Sequence, residues 1–136
     1  LLGSENDVQG MLDSGINRRI NREKFDLAKL ETELAEEGSL RQRVYSEMTR
    51  LLQLRKGQKA FSPSSSQEVL ELGHGLFGLK RGEGESAIQF VVNLSEQAAE
   101  VTLAAGGLDL ISQREFDAQF TLKPYQFVWL TQPQAQ

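Results

Sequence analysis

The sequence predicts an α+β protein in which helices come first and an antiparallel β-sandwich or small barrel follows. Three observations carry this reading. Apolar residues recur at helical spacing up to Gly57, and beyond Gln67 they alternate. Between the two regimes lies "FSPSSSQ" (61–67), a serine-rich stretch that reads as a linker.

The first well-signalled helix starts after Asp26, a good N-cap, and runs through "LAKLETELAEE" to Gly38. Leu27, Leu30 and Leu34 form its apolar stripe, and Phe25 and Leu30 have the spacing of a hydrophobic staple. The second helix starts at Ser39, where "SLRQ" is a capping box with Gln42 reaching back. Leu40, Val44, Met48, Leu51 and Leu52 recur along it, Arg55 and Lys56 suit its C-terminal dipole, and Gly57 stops it.

In the β half, "EVLELGHGLFGLKR" predicts a hairpin turning at Gly73-His74-Gly75, and "RGEGE" (81–85) a second turn. "AIQFVVNL" puts Ile88, Phe90, Val92 and Leu94 on one face of a strand. "AEVTLAAGG" and "LDLIS" read as short strands. "FTLKPYQFVWLTQ" closes the set, with Pro124 marking a bend or an edge. Six or seven short strands are expected. Two helices cannot bury their stripes against a sheet that has its own core. Residues 1–57 are therefore expected to be the tail of a larger α-containing domain, and 58–136 an appended β module.

Composition narrows the function classes. The net charge of −4 comes from residues 58–136, which hold five basic and nine acidic groups. An acidic half of this kind repels polyphosphate, so nucleic acid is not an expected partner. The apolar runs fall far short of a membrane span, so no membrane partner is expected. There is no cysteine, which removes disulfides and thiolate chemistry. Leu1-Leu2 is followed at once by "GSEND", which lacks the pattern of a secretory leader. With no initiating methionine, the sequence is expected to be cut from a longer one.

Within the chain itself no catalytic group and no metal ligand set is expected. The one histidine, His74, lies between glycines without a partner base, and an exposed or structural role suffices for it. Glu31, Glu33, Glu36 and Glu37 read as a solvated helix face. Tyr125, Phe127 and Trp129 share a strand face that would serve as a sugar-stacking platform. Core packing accounts for them better, because Val128 and Leu130 mark a strand buried on both sides. "SGINRRINREKF" (14–25) is different, with Arg18, Arg19, Arg22 and Lys24 interleaved with Asn17 and Asn21. Planar guanidinium forks suit hydroxyl, carboxylate or phosphate oxygens. On composition alone a solvated loop is the favoured reading of the stretch.

A resemblance turns the reading the other way. "LLGSENDVQGMLDSGINRRINREKF" is similar to the segment after the last barrel strand of sucrose phosphorylase-like enzymes, in the α-amylase superfamily. Those enzymes carry an LLAG-x-ND stretch followed by a Gly-Arg-Asp-Ile-Asn-Arg-His signature. Leu1, Leu2, Gly3, Asn6 and Asp7 match the first half, and Arg18, Ile20, Asn21 and Arg22 the second. Arg19 stands where the family has Asp, and Glu23 where it has His. That form resembles glucosylglycerate phosphorylase-like members more than enzymes acting on sucrose.

The resemblance implies that residues 1–57 are the last loop and helices of a (β/α)8 barrel, and that 58–136 are a C-terminal all-β domain. It implies a cytoplasmic glycosyltransferase, a retaining phosphorylase that moves glucosyl from a sucrose-like or glucosylglycerate-like disaccharide to inorganic phosphate. The product would be α-glucose 1-phosphate. Its catalytic carboxylates would lie upstream of Leu1, on the missing barrel, leaving the 136 residues inactive alone. No cofactor is implied. Arg18 would contact the glucosyl unit, and Asn21 and Arg22 would hold the loop. The competing expectation is a non-catalytic carbohydrate-binding or structural β module of an α-amylase-type glycoside hydrolase.

Overall fold

The computed structural model describes residues 2–3 and 5–132, so Leu1 of the opening motif lies outside the described residues. The fold is α+β, with helices first and antiparallel sheets after them. The chain divides into two compact units, Leu1–Leu51 and Leu52–Gln136.

The first unit opens with α1 (Val8–Ser14) and a 3₁₀ turn (Asn17–Asn21) that the helical periodicity does not announce. Then come α2 (Leu27–Ala35) and α3 (Leu40–Lys56), in whose span the division between units falls. The caps form as their residue types dictate. The Asp26 carboxylate accepts the Lys29 N–H at 2.9 Å, and the Ser39 hydroxyl accepts the Gln42 N–H at 3.1 Å. Gln42 reaches back one residue further than a standard capping box requires, accepting the Gly38 N–H at 3.2 Å. Phe25, expected to staple onto Leu30, presents its ring to the guanidinium of Arg41 at 4.9 Å. The leucine stripes do not become a core. Leu27 and Leu40 stay exposed, and the one buried residue along α3 is Arg41. Amphipathic spacing selects a face, but burial needs a second surface to meet it.

In the second unit a four-stranded antiparallel sheet runs in the order β1-β2-β3-β8: Gln67–Leu70, Leu76–Arg81, Ile88–Asn93 and Phe127–Thr131. Facing it are the pair β4 (Ala99–Thr102) with β7 (Gln119–Leu122) and the two-residue strands β5 (Gly107–Leu108) and β6 (Glu115–Phe116). Val91, Val128 and Leu130 from the large sheet meet Val101, Leu103 and Leu122, forming a sandwich core. The predicted hairpin pairs as expected, Val69 opposite Leu79, and its turn uses left-handed glycines at 73 and 75.

Four expectations need correction. Among the described residues eight strands form rather than six or seven, because two-residue strands are too short to show alternation. "LDLIS" is not a strand: Asp109 makes a single bridge to Leu130, and its carboxylate then organises a turn. β3 is buried on both faces rather than one: Gln89, Val91 and Asn93 are buried, as is Ile88 of the predicted set, while Leu94 lies past the strand end and is 62% exposed. Polar Gln89 and Asn93 are accommodated because each finds carbonyl partners. The Asn93 amide donates to the carbonyls of Gln97 (2.6 Å) and Lys123 (3.0 Å), tying two turns together. Finally, "FSPSSSQ" is no loose linker. Ala60 is buried before it, Phe61 packs on Trp129 with ring centres 5.0 Å apart, and Arg81 donates to the carbonyls of Ala60 and Ser62.

Gly107 shows how closely the sandwich closes. A side-chain carbon there would fall within contact radius of the Thr131 backbone carbonyl, and a backbone oxygen cannot swing aside. Gly107→Ala is expected to destabilise the second unit by about 1–3 kcal/mol, read as a lowered urea midpoint at constant slope.

Candidate functional site

The arginine stretch is built on α1. The Asp7 carboxylate accepts the Gly10 N–H at 2.9 Å, and any side chain at position 10 would collide with that carboxylate. Gly15, at φ 65, ends the helix in the left-handed conformation that favours glycine, and the Ser14 hydroxyl donates to the Gly10 carbonyl. The chain then doubles back. The Asp7 N–H donates to the Ile20 carbonyl at 2.8 Å, so the two halves of the opening motif meet at the backbone.

Within the 3₁₀ turn the Arg19 N–H bonds Ile16 and the Arg22 N–H bonds Arg19, each at 2.9 Å. This winding brings Ile16, Arg18, Arg19, Arg22 and Lys24 around one open concavity of about 450 Å³. Arg19 lies 3.9 Å from Asp7, a long ion pair, and with Lys24 also borders a second concavity with Glu5, Asp7 and Asp13. Arg18 and Arg22 are exposed, and their side chains have no partner among the described residues. They are free to meet a ligand. Asn21 closes the 3₁₀ turn but does not line the concavity, and its side chain makes no hydrogen bond among the described residues.

Sequence reasoning missed the residue that binds the loop to the helices. Arg41 is 8% exposed, and its Nε donates to the Leu2 carbonyl at 3.0 Å. One terminal nitrogen meets Glu23 at 2.8 Å and the other meets Glu33. Glu33 therefore does not belong to a purely solvated face. Burial opposes the charge of Arg41, but hydrogen bonds and attraction from Glu23 and Glu33 outweigh it and hold the guanidinium above its ordinary value. A signal for this was present. An arginine in the first turn of a helix opposes the macrodipole and calls for carboxylates nearby.

The other candidates look different in place. Trp129 packs against Phe61, while Tyr125 sits at φ 58 in the turn before β8 and is 60% exposed. The three aromatics therefore do not form one flat platform. His74 is exposed in its turn. Among the described residues no group of three His, Cys, Asp or Glu side chains is placed to hold a metal ion. No helix among them is long and apolar enough to cross a membrane.

No family model matches the chain. The fold is shared with parts of several larger solved structures. AmyP in complex with maltose superposes with a TM-score of 0.58 at 18% identity, over 70% of this chain and 22% of that one. A hypothetical maltooligosyl trehalose synthase of Sulfolobus tokodaii gives 0.59 at 23% identity, over 83% and 16%. At these identities the likeness concerns fold alone.

Sequence relatives are more particular. The chain is 35% identical over 130 residues to the glucosylglycerate phosphorylase of Allomeiothermus silvanus, covering 96% of this chain and 22% of the relative. With that of Escherichia coli the identity is 31% over 133 residues, covering 96% and 24%. The chain thus spans about a quarter of the length of the relatives it matches. It is a homologue of part of the glucosylglycerate phosphorylases, as a C-terminal piece of such an enzyme would be.

Proposed function

We propose that the chain is the C-terminal part of a retaining α-glucoside phosphorylase. Residues 1–57 would be the last loop and helices of its barrel, and 58–136 its C-terminal β domain. The observation that carries the reading is the match, along nearly the whole chain, to enzymes named glucosylglycerate phosphorylase. Two features of the fold support it. The arginine loop leaves Arg18 and Arg22 exposed around a concavity, and the apolar Val8, Leu12, Ile16, Leu27 and Leu40 stay uncovered, as surfaces that meet further polypeptide would.

The substrate class that fits is a glucosylglycerate-like disaccharide, with sucrose-like compounds as the wider class, and inorganic phosphate as acceptor. In the two-carboxylate scheme, a carboxylate attacks the anomeric carbon while a carboxylic acid protonates the departing glycosidic oxygen. A phosphate oxygen then displaces the carboxylate from the same face, giving α-glucose 1-phosphate with retained configuration. Both acids would lie in the part of the longer protein outside these residues. Arg18 would hold a hydroxyl of the glucosyl unit, contributing orientation and no bond breaking. Asn21 and Arg22 would keep the loop in shape. Such an enzyme would be cytoplasmic.

The longer protein, incubated with glucosylglycerate and phosphate, is expected to release glucose 1-phosphate, while the 136 residues alone release none. A longer protein that releases free glucose at the same rate with or without phosphate is a hydrolase, and the reading fails.

A further inference from the structure

We infer that Glu23 and Arg41 are positioning residues, a clamp that sets the orientation of the Arg18 loop. The inference deepens the proposed phosphorolysis and rests on it.

Arg41 gathers four groups from four places in the first unit. It reaches the carbonyl of Leu2 in the "LLGSEND" half of the motif, and the carboxylate of Glu23 in the "RRINREK" half. It also takes the carboxylate of Glu33 on α2 and the ring of Phe25, just before that helix. A planar fork with five donors spreads rigidly directed bonds over three acceptors, a geometry that the point-like ammonium of a lysine does not reproduce. The pairing is shielded, with Arg41 8% and Glu23 19% exposed, so solvent weakens it less than the other ion pairs of this unit.

Other ties hold the loop as well, among them the Glu5 N–H donating to Glu23 at 3.4 Å. One backbone bond from Asp7 to Ile20, and the 3.9 Å approach of Arg19 to Asp7, link it to α1. Glu23 follows Arg22 directly, so its bond to Arg41 fixes the exit of the 3₁₀ turn and, with it, the direction in which Arg18 points. Glu33 shares Arg41 with Glu23 yet lies on α2, and among the described residues its side chain makes no hydrogen bond or ion pair to the loop. That asymmetry separates positioning from mere stability.

The experiment is a double-mutant cycle in the longer enzyme, with kcat/KM for phosphorolysis of glucosylglycerate as readout. E23Q is expected to lower kcat/KM about tenfold to a hundredfold. E33Q should lower the melting temperature comparably but kcat/KM far less. In an R18A background E23Q should cost nothing further, because both changes remove the same contact. Additive losses in the cycle, or equal kinetic losses from E23Q and E33Q, overturn the clamp while leaving the proposed reaction standing. A wild-type enzyme that forms no glucose 1-phosphate overturns the reaction itself. Should E23Q fail to fold, E23D, which keeps the charge at shorter reach, replaces it in the cycle.

Discussion

In the longer enzyme, Arg18→Ala is expected to lower kcat/KM for phosphorolysis by about a hundredfold or more, with folding unaffected. The size follows from the role. A side chain that holds a sugar hydroxyl in a reactive pose contributes through geometry, and losing that geometry costs on this scale. The stability half follows from the fold, since Arg18 is exposed and has no side-chain partner among the described residues. Arg18→Lys keeps the charge but loses the planar fork, and should recover only part of the rate. Initial rates over a range of glucosylglycerate concentrations check both variants. Wild-type kcat/KM in the alanine variant would move the sugar contact away from this loop.

The largest stability effect is expected at Asp109. Its carboxylate is 2% exposed and accepts the N–H of Trp129 at 2.8 Å, of Ser112 at 2.9 Å and of Ile111 at 3.2 Å, together with the Ser112 hydroxyl at 2.6 Å. One side chain therefore joins the turn after β5 to the edge of β8. Asp109→Ala leaves several part-buried donors without their acceptor, which costs about 3 kcal/mol. That is a large share of the stability of a unit this size, equivalent to a melting temperature lowered by roughly 12–24 °C. Ser112→Ala removes one donor and leaves the carboxylate three others, so it should cost about 1 kcal/mol. Thermal melts of the two variants separate the hub from its spoke. Equal losses would mean that the turn, not the carboxylate, holds the structure.

What the residues announce in advance is what local chemistry decides. Asp26 and Ser39 cap their helices because a short side-chain acceptor beside an apolar run has one good use. The hairpin at Gly73-His74-Gly75 is equally local. The face of β3 is not, because Gln89 and Asn93 look like solvent-facing residues until their carbonyl partners, far along the chain, are known. Asp109 fails the same way, its Trp129 partner lying twenty residues on. At the candidate site the arginines stood out by density, and their order agreed with a known motif. Arg41 did not, since it belongs to a helix and acts on a loop eighteen residues earlier. Long-range ion pairs leave no periodic trace.

The placement of the single indole carries a practical consequence. Trp129 lies on β8 with its backbone N–H bonded to Asp109 and its ring against Phe61. Its emission thus reports on the packing of the sandwich. Paired with circular dichroism, where α1 and α2 contribute and the tryptophan does not, one denaturant titration can reveal whether the two halves come apart together or in succession.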